Sequence, residues 1–442
     1  MGNFFVNNAL TRAFWGDEAW TALISALPLP DLVKTTAADF HPPLYYTLVH
    51  FWMQAFGNSE VSLRLISLLF WLLAGIAACF FARSLNLSRT FRLRFAYFVW
   101  FNPFLFLYAF EARNYTLFVF LSVCSMWFFY LLLRSPRPIF LTGYLLFTLA
   151  GLYTHYFMFF LLAAQYLFVV LFRRDLFKHF LLLAVCFLLL YLPWLPFFFS
   201  QVKSVAGGYW IAPLTPNTVW GTVETLIRGE YTSAFSAGLL LFFGVYLLLA
   251  VRTAWQNKSL KTPETALFLI WFCIPFLLPI LVSFYRPLFF YRYLIFTAVP
   301  VMLLPLFWLA SATKRPATPG ALLIPALFPL LLLAAYLYID WLTLSRNTRQ
   351  LFKPVLAEIH AQARPGDVIY TVLPSFAEVV YYNQYDGAPL PVKVLPRGLQ
   401  QASGKALLDT YVRNNYLTLE DLPPFGRYWY LEPGPTFRLV EK

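Results

Sequence analysis

Charge is scarce in this chain of 442 residues: Asp, Glu, Lys and Arg together make up only 12% of it, while 60% is hydrophobic and 20% aromatic. That excludes an ordinary soluble globule, which carries about twice that share of charge. A mean hydropathy of +0.65 points the same way, and the chain reads as a polytopic membrane protein. Cysteine is nearly absent too. Cys79, Cys124, Cys186 and Cys273 each fall inside an apolar stretch with no CxxC pair, which leaves small packing residues and no disulfide frame or metal site. No P-loop, GxGxxG, GxSxG or HExxH occurs, so none of the chemistries those motifs support is read here. Residues 1–14 are too short and too polar for a cleavable signal peptide.

What the chain has in quantity is apolar runs. Ten stretches, near 61–82, 92–110, 114–133, 139–153, 156–172, 179–199, 234–251, 265–284, 289–309 and 321–339, are candidate spans. Most approach the roughly 20 residues that cross about 30 Å of hydrocarbon. The shorter pair around 139 and 156 flanks the polar Thr154 and His155, and is expected to tilt or to share an outer turn. Positive charge falls in alternate connections: Arg83, Arg89, Arg92 and Arg94; Arg134 and Arg137; Arg173, Arg174 and Lys178; Arg252, Lys258 and Lys261; Lys314 and Arg315. By the positive-inside bias these are the cytoplasmic loops. Much of the net charge of +13 is therefore a topology signal, and no nucleic-acid partner is expected. Residues 1–60, the remaining connections and the tail from 340 onward then share the outer face.

Against that background the acids stand out. Asp17 and Glu18 follow Trp15 and Gly16 and precede a helix-forming run, 19–27, which puts both in a first turn, where the helix dipole favours a carboxylate. Pro28 and Pro30 end that piece and Pro42 and Pro43 start another, giving two short helices joined by a turn. Residues 44–56 read as a helix along the outer surface, with Tyr45, Tyr46 and Trp52 suited to the interface; Asn58, Ser59 and Glu60 cap the first span. Further outer-face polar residues are Glu111 and Arg113, His155 among aromatics, and Arg286 and Arg292 among tyrosines. Each has a plain reading: Asp17 as a helix cap, His41 as a polar residue before a proline-started helix, Glu111 with Arg113 as a mutual or snorkelling pair, His155 as a structural hydrogen-bonder. Taken together at one membrane face, such groups serve a substrate or ion path, and an arginine there can hold a phosphate through paired hydrogen bonds.

The loop 200–233, with Gly207, Gly208, Trp210 and Trp220, is long enough to cover something. Beyond 340 the composition changes: 351–363 is helix-like, and Arg364 to Asp367 form a turn feeding a buried strand, 368–372. The expected units are an outer loop with juxtamembrane helices and the acids, 1–60; a transmembrane domain, 61–339, of about ten helices; and a small soluble α/β domain, 340–442.

Five of these motifs, in order, carry a resemblance: Asp17-Glu18, His41-Pro42-Pro43-Leu44-Tyr45-Tyr46, Glu111-Ala112-Arg113 with Tyr115, Tyr153-Thr154-His155-Tyr156, and Arg292-Tyr293-Leu294. The sequence resembles bacterial members of the family 39 glycosyltransferase group, similar to protein O-mannosyltransferases and to the aminoarabinose transferases of lipid A, with the GT-C membrane fold. The resemblance implies a hexosyl- or pentosyltransferase that moves a sugar from a polyprenyl-phosphate donor to a lipid, glycan or protein acceptor at the outer face of the bacterial cytoplasmic membrane. It assigns Asp17 as general base with Glu18 in support. Arg292 and then Arg113 would hold the donor phosphate; Glu111 and His41 would orient substrate or, with Asp17, bind a divalent ion, and His155 and Tyr45 would line the substrate site. Members of the group differ in metal dependence, which leaves the metal open.

One departure is that the group has a span immediately before its Asp-Glu loop, whereas about fourteen non-spanning residues precede Trp15 here. A span of roughly 20 apolar residues encoded upstream, or its loss, is the expectation that follows. A transporter or flippase, with repeated halves and charged mid-membrane helices, and a non-catalytic scaffold for envelope glycan assembly are the rival readings.

Overall fold

In hydrocarbon every backbone N–H must find its partner within the same segment, so apolar runs of this length become helices. The computed structural model describes residues 9–206, 211–313, 323–345, 352–384, 389–395, 405–413, 417–419, 422, 426–431, 434 and 436–441. Lys314, Arg315, Gly207, Gly208 and Trp210 lie outside them.

Three short helices come first: α1 (Gly16–Ser25), α2 (Leu29–Ala38) and α3 (Leu44–Phe56). The second is a correction. Pro28 and Pro30 were expected only to end α1; Pro28 instead caps α2 and Pro30 sits in its first turn, where a missing N–H costs nothing. The bundle continues with α4 (Glu60–Ser84), α5 (Arg89–Phe101), α6 (Pro103–Ala109), α7 (Tyr115–Arg134), α8 (Pro138–Leu152), α9 (Met158–Phe172), α10 (Phe177–Tyr191), α11 (Leu195–Ala206), α12 (Pro216–Arg228), α13 (Ala234–Gln256), α14 (Pro263–Ser283), α15 (Ala298–Thr313) and α16 (Leu323–Ser345). Ser59 caps α4 by accepting from the Ser62 amide, and Glu60 and Arg83 complement the two ends of its dipole.

Among the described residues six helices are long and apolar enough to cross a membrane, or seven if a bent pair counts as one span. The expected ten differ in three places. The stretch 92–110 is broken at Asn102, whose side chain accepts from the Phe104 and Leu105 amides and starts α6 at Pro103. The stretch 179–199 bends by 80°, because Pro193 and Pro196 cannot continue a helix interior. The third is the pair α8 and α9, at 15 residues each. The loop 200–233 also holds structure, namely the end of α11 and all of α12.

The ends rich in arginine come together. Arg134 donates to the Ser84 carbonyl and to the Tyr130 hydroxyl, Tyr130 donates to Glu264, and Arg173 donates to the Leu133 carbonyl. The opposite end of the bundle carries α1, α2 and α3. Over these lies the C-terminal layer, with α17 (Phe352–Gln362), α18 (Leu373–Asn383), α19 (Lys405–Arg413) and strands β1 (Ile369–Val372), β2 (Val392–Leu395), β3 (Leu417–Leu419), β4 (Arg427–Leu431) and β5 (Phe437–Glu441). The sheet order is β3-β2-β1-β4-β5, parallel except for β4 with β5. The central β1 is buried throughout, as a strand covered on both faces must be. One apolar core runs from Trp20, Ile24 and Tyr46 of the first helices into Phe376, Val380 and Trp429 of the C-terminal layer. Residues on either side of the expected 1–60 and 340–442 units therefore share a core.

Candidate active site

Successive residues on a helix diverge by about 100°, so Asp17 and Glu18 at the start of α1 cannot face the same way. Glu18 turns inward. Arg64 of α4 donates Nε to its Oε1 at 2.9 Å and Nη2 to its Oε2 at 2.8 Å, with both side chains fully buried. Burial pushes the Glu18 carboxyl up, but the charge and hydrogen bonds of Arg64 outweigh it, and the group titrates below the usual carboxylate range. Glu18 also accepts from the Ala112 amide at 2.9 Å, while Arg64 donates to the Leu10, Arg12 and Ala13 carbonyls. Through these bonds Glu18 ties together three chain segments, one of which carries Arg113.

Asp17 turns outward, and its side chain is 40% exposed. Its Oδ2 lies 3.7 Å from Arg113 Nη2 and 3.7 Å from Arg292 Nη1. These are ion-pair separations, beyond hydrogen-bond length. Arg113 is the more deeply set: Nη1 donates to the Asp17 carbonyl at 3.3 Å, Nη2 lies 3.4 Å from His41 Nε2, and the guanidinium rests over the Tyr115 ring. Arg292 enters from a 3-10 turn, Tyr291–Thr297. It donates to the Tyr291 hydroxyl at 3.1 Å and packs over the rings of Trp15, Phe290 and Tyr291, which leaves its terminal nitrogens toward Asp17.

His41 is driven down to about 3 by burial and by the Arg113 charge, so it is neutral at physiological pH. Behind it opens a cavity of ≈ 360 Å³ lined by Phe157, Phe159, Phe160, Phe198 and Arg286, with His41 at its wall. His155 lines the same cavity; its Nδ1 accepts from the Phe157 amide at 3.2 Å and its ring stacks on Phe118 at 4.6 Å. Burial, followed by His41 and Arg113, holds it well below its usual value. Tyr45 is buried edge-to-face on Tyr46, beside Ser67. Glu111 is fully buried and interacts electrostatically with Arg292.

The structure thus gathers Asp17, Arg113, Arg292 and His41 into one cluster, with His41 and His155 both on the wall of the adjoining cavity. It sets Glu18, Glu111 and Tyr45 in the packing behind. Sequence reasoning missed Arg64, although a lone arginine four residues into an apolar run was a signal. It also missed Trp15 as a cation-π platform and Glu378 of α18, whose carboxyl reaches Gly16; nothing in the surrounding sequence marks that residue. No group of three or more His, Cys, Asp or Glu converges among the described residues. Asp17 and His41 each face a guanidinium, a setting that receives an anion and does not fit a divalent cation.

No protein-family model and no curated protein matches this sequence. Solved structures do match. ArnT from Cupriavidus metallidurans in the apo state superposes with a TM-score of 0.62 at 16% identity, over 94% of this chain and 87% of that one. The same protein bound to undecaprenyl phosphate gives 0.60 at 15% identity, again over 94% and 87%. The Archaeoglobus fulgidus oligosaccharyltransferase in complex with zinc and sulfate gives 0.51 at 14% identity, over 93% of this chain and 59% of that one. At these identities the likeness is one of fold: the chain has a GT-C-like helical membrane fold with a small α/β layer.

Proposed function

We propose that this chain is a glycosyltransferase that moves a sugar from a polyprenyl-phosphate donor to an acceptor hydroxyl at the outer face of a bacterial cytoplasmic membrane. The observation that carries the reading is the exposed Asp17 carboxylate poised between two guanidiniums, one of which, Arg113, lies 3.4 Å from the His41 that lines an aromatic cavity. Undecaprenyl phosphate bound to a protein of the same fold supports it. An aromatic and apolar cavity of this size suits part of an isoprenoid chain. The donor phosphate would then fall to Arg113 and Arg292, where Asp17 now supplies the negative charge.

The chemistry follows from that exchange. A phosphate taking the two guanidiniums releases Asp17 toward the acceptor. As the acceptor oxygen bonds to the anomeric carbon its proton passes to the Asp17 carboxylate. The bond from that carbon to the phosphate oxygen breaks, and the electron pair leaves on polyprenyl phosphate, whose added charge the arginines stabilise. His41, neutral, orients Arg113 and takes no proton.

The test is incubation of membranes containing the chain with a panel of labelled polyprenyl-phosphate sugars. Wild type is expected to transfer label from at least one donor. Asp17→Asn should lower turnover by about two to four orders of magnitude while donor binding survives. Near-normal turnover in folded Asp17→Asn protein removes Asp17 as the base.

A further inference from the structure

We propose that Glu378, on the C-terminal α/β layer, is a positioning residue of this site: with Tyr382 it clamps the backbone that enters α1 and so fixes where Asp17 stands. The inference rests on the function proposed above for Asp17.

Helix α1 begins without a cap of its own, because Trp15 makes no side-chain bond to the first turn, yet the first amides of any helix need acceptors. The Trp15 carbonyl takes the Glu18 and Ala19 amides, and the backbone leading into them is held from more than 360 positions away in the sequence. The Glu378 carboxyl stands against Gly16, its Oε1 3.4 Å from where a Cβ on that residue would lie, and the Gly16 amide acts on it electrostatically; the Phe14 amide donates to the Tyr382 hydroxyl at 2.6 Å. Residues four apart share a helix face, so one face of α18 meets two alternate residues of an extended segment, Phe14 and Gly16. The rest of the contact is built to hold it. Phe14 packs on the Tyr381 ring with centroids 5.0 Å apart, Tyr381 donates to the Asn58 carbonyl at 2.7 Å, and Lys353 of α17 donates to Glu60 at 2.9 Å.

Glu378 is 6% exposed, and its Oε2 is buried without a hydrogen-bond partner among the described residues. Burial, reinforced by the nearby Asp17 charge, raises its carboxyl to about 8. At neutral pH it therefore stands against Gly16 as an uncharged acid and puts no second negative charge beside Asp17. What matters in this arrangement is an acceptor oxygen at that reach, which a glutamine also supplies.

The experiment uses the purified full-length chain and a labelled polyprenyl-phosphate sugar that the panel shows to be a donor. Glu378→Gln should keep kcat within about threefold of wild type, since the acceptor oxygen is retained. Glu378→Ala should lower kcat by about ten- to a hundredfold, the cost of displacing a reacting group by about 1 Å, with the donor KM unchanged. Hydrogen exchange of the amides at 15–18 should quicken about fivefold in Glu378→Ala and not in Glu378→Gln, as for loss of a helix cap. Wild-type kcat and exchange in Glu378→Ala overturn the proposal, and so does a Glu378→Gln variant as impaired as Glu378→Ala. If Glu378→Ala does not fold, Glu378→Asp, shorter by one methylene, is read by the same two measurements. Faster exchange in Glu378→Ala from a chain that transfers no sugar in the wild type leaves the clamp standing and fails the enzyme reading instead.

Discussion

At the scale of single residues, neighbours in sequence have different work. Asp17 is exposed between arginines while Glu18, one position on, is sealed against Arg64. Removing one partner of a fully buried ion pair strands the other charge, at a cost of about 3–5 kcal/mol. Arg64→Ala should therefore lower the thermal unfolding midpoint of the detergent-solubilised protein sharply; an unchanged midpoint contradicts a structural role for the pair. Arg292 calls for a different readout. If it holds donor phosphate in both ground and transition states, Arg292→Ala weakens donor binding as well as rate. Arg292→Lys should restore only part of the loss, since a point charge cannot reproduce the guanidinium fork, and full restoration would show that charge alone suffices.

At the scale of elements, prolines and polar hinges decided what hydropathy could not. Pro28 and Pro30 begin a helix that reads in the sequence as a break, and Asn102 with Pro103 divides a stretch that reads as one span. Helix α18 carries a further consequence. Burial raises the Glu378 carboxyl from an ordinary 4.5 to about 8 in the fold, so between those values the unfolded chain loses a proton that the folded chain keeps. Its contribution to stability is full below about 4.5 and fades as pH rises toward about 8. The difference in melting midpoint between wild type and Glu378→Gln should accordingly move against wild type over that window. A difference that stays flat with pH contradicts the buried, Asp17-facing placement.

At the scale of the whole molecule, the arginine-rich turns gather at one end of the bundle and the site lies at the other. With the arginines cytoplasmic, an impermeant thiol reagent on intact cells should label Ala361→Cys, exposed on α17, and spare Lys261→Cys, exposed at the opposite end; the reverse pattern inverts the orientation. By itself the sequence determined the membrane class, the helical runs, the small α/β layer and the short list of polar residues on one face, because scarce charge in apolar surroundings is conspicuous and hydropathy is a local property. Only the tertiary structure decided which of those residues meet. Asp17, Arg113 and Arg292 lie in segments 96 or more positions apart and converge only when α1, the turn before α7 and the turn before α15 are packed. Glu378 lies farther still and carries no local mark. A helix entry held by another layer of the fold is a property of two surfaces in contact, and no window of sequence contains both.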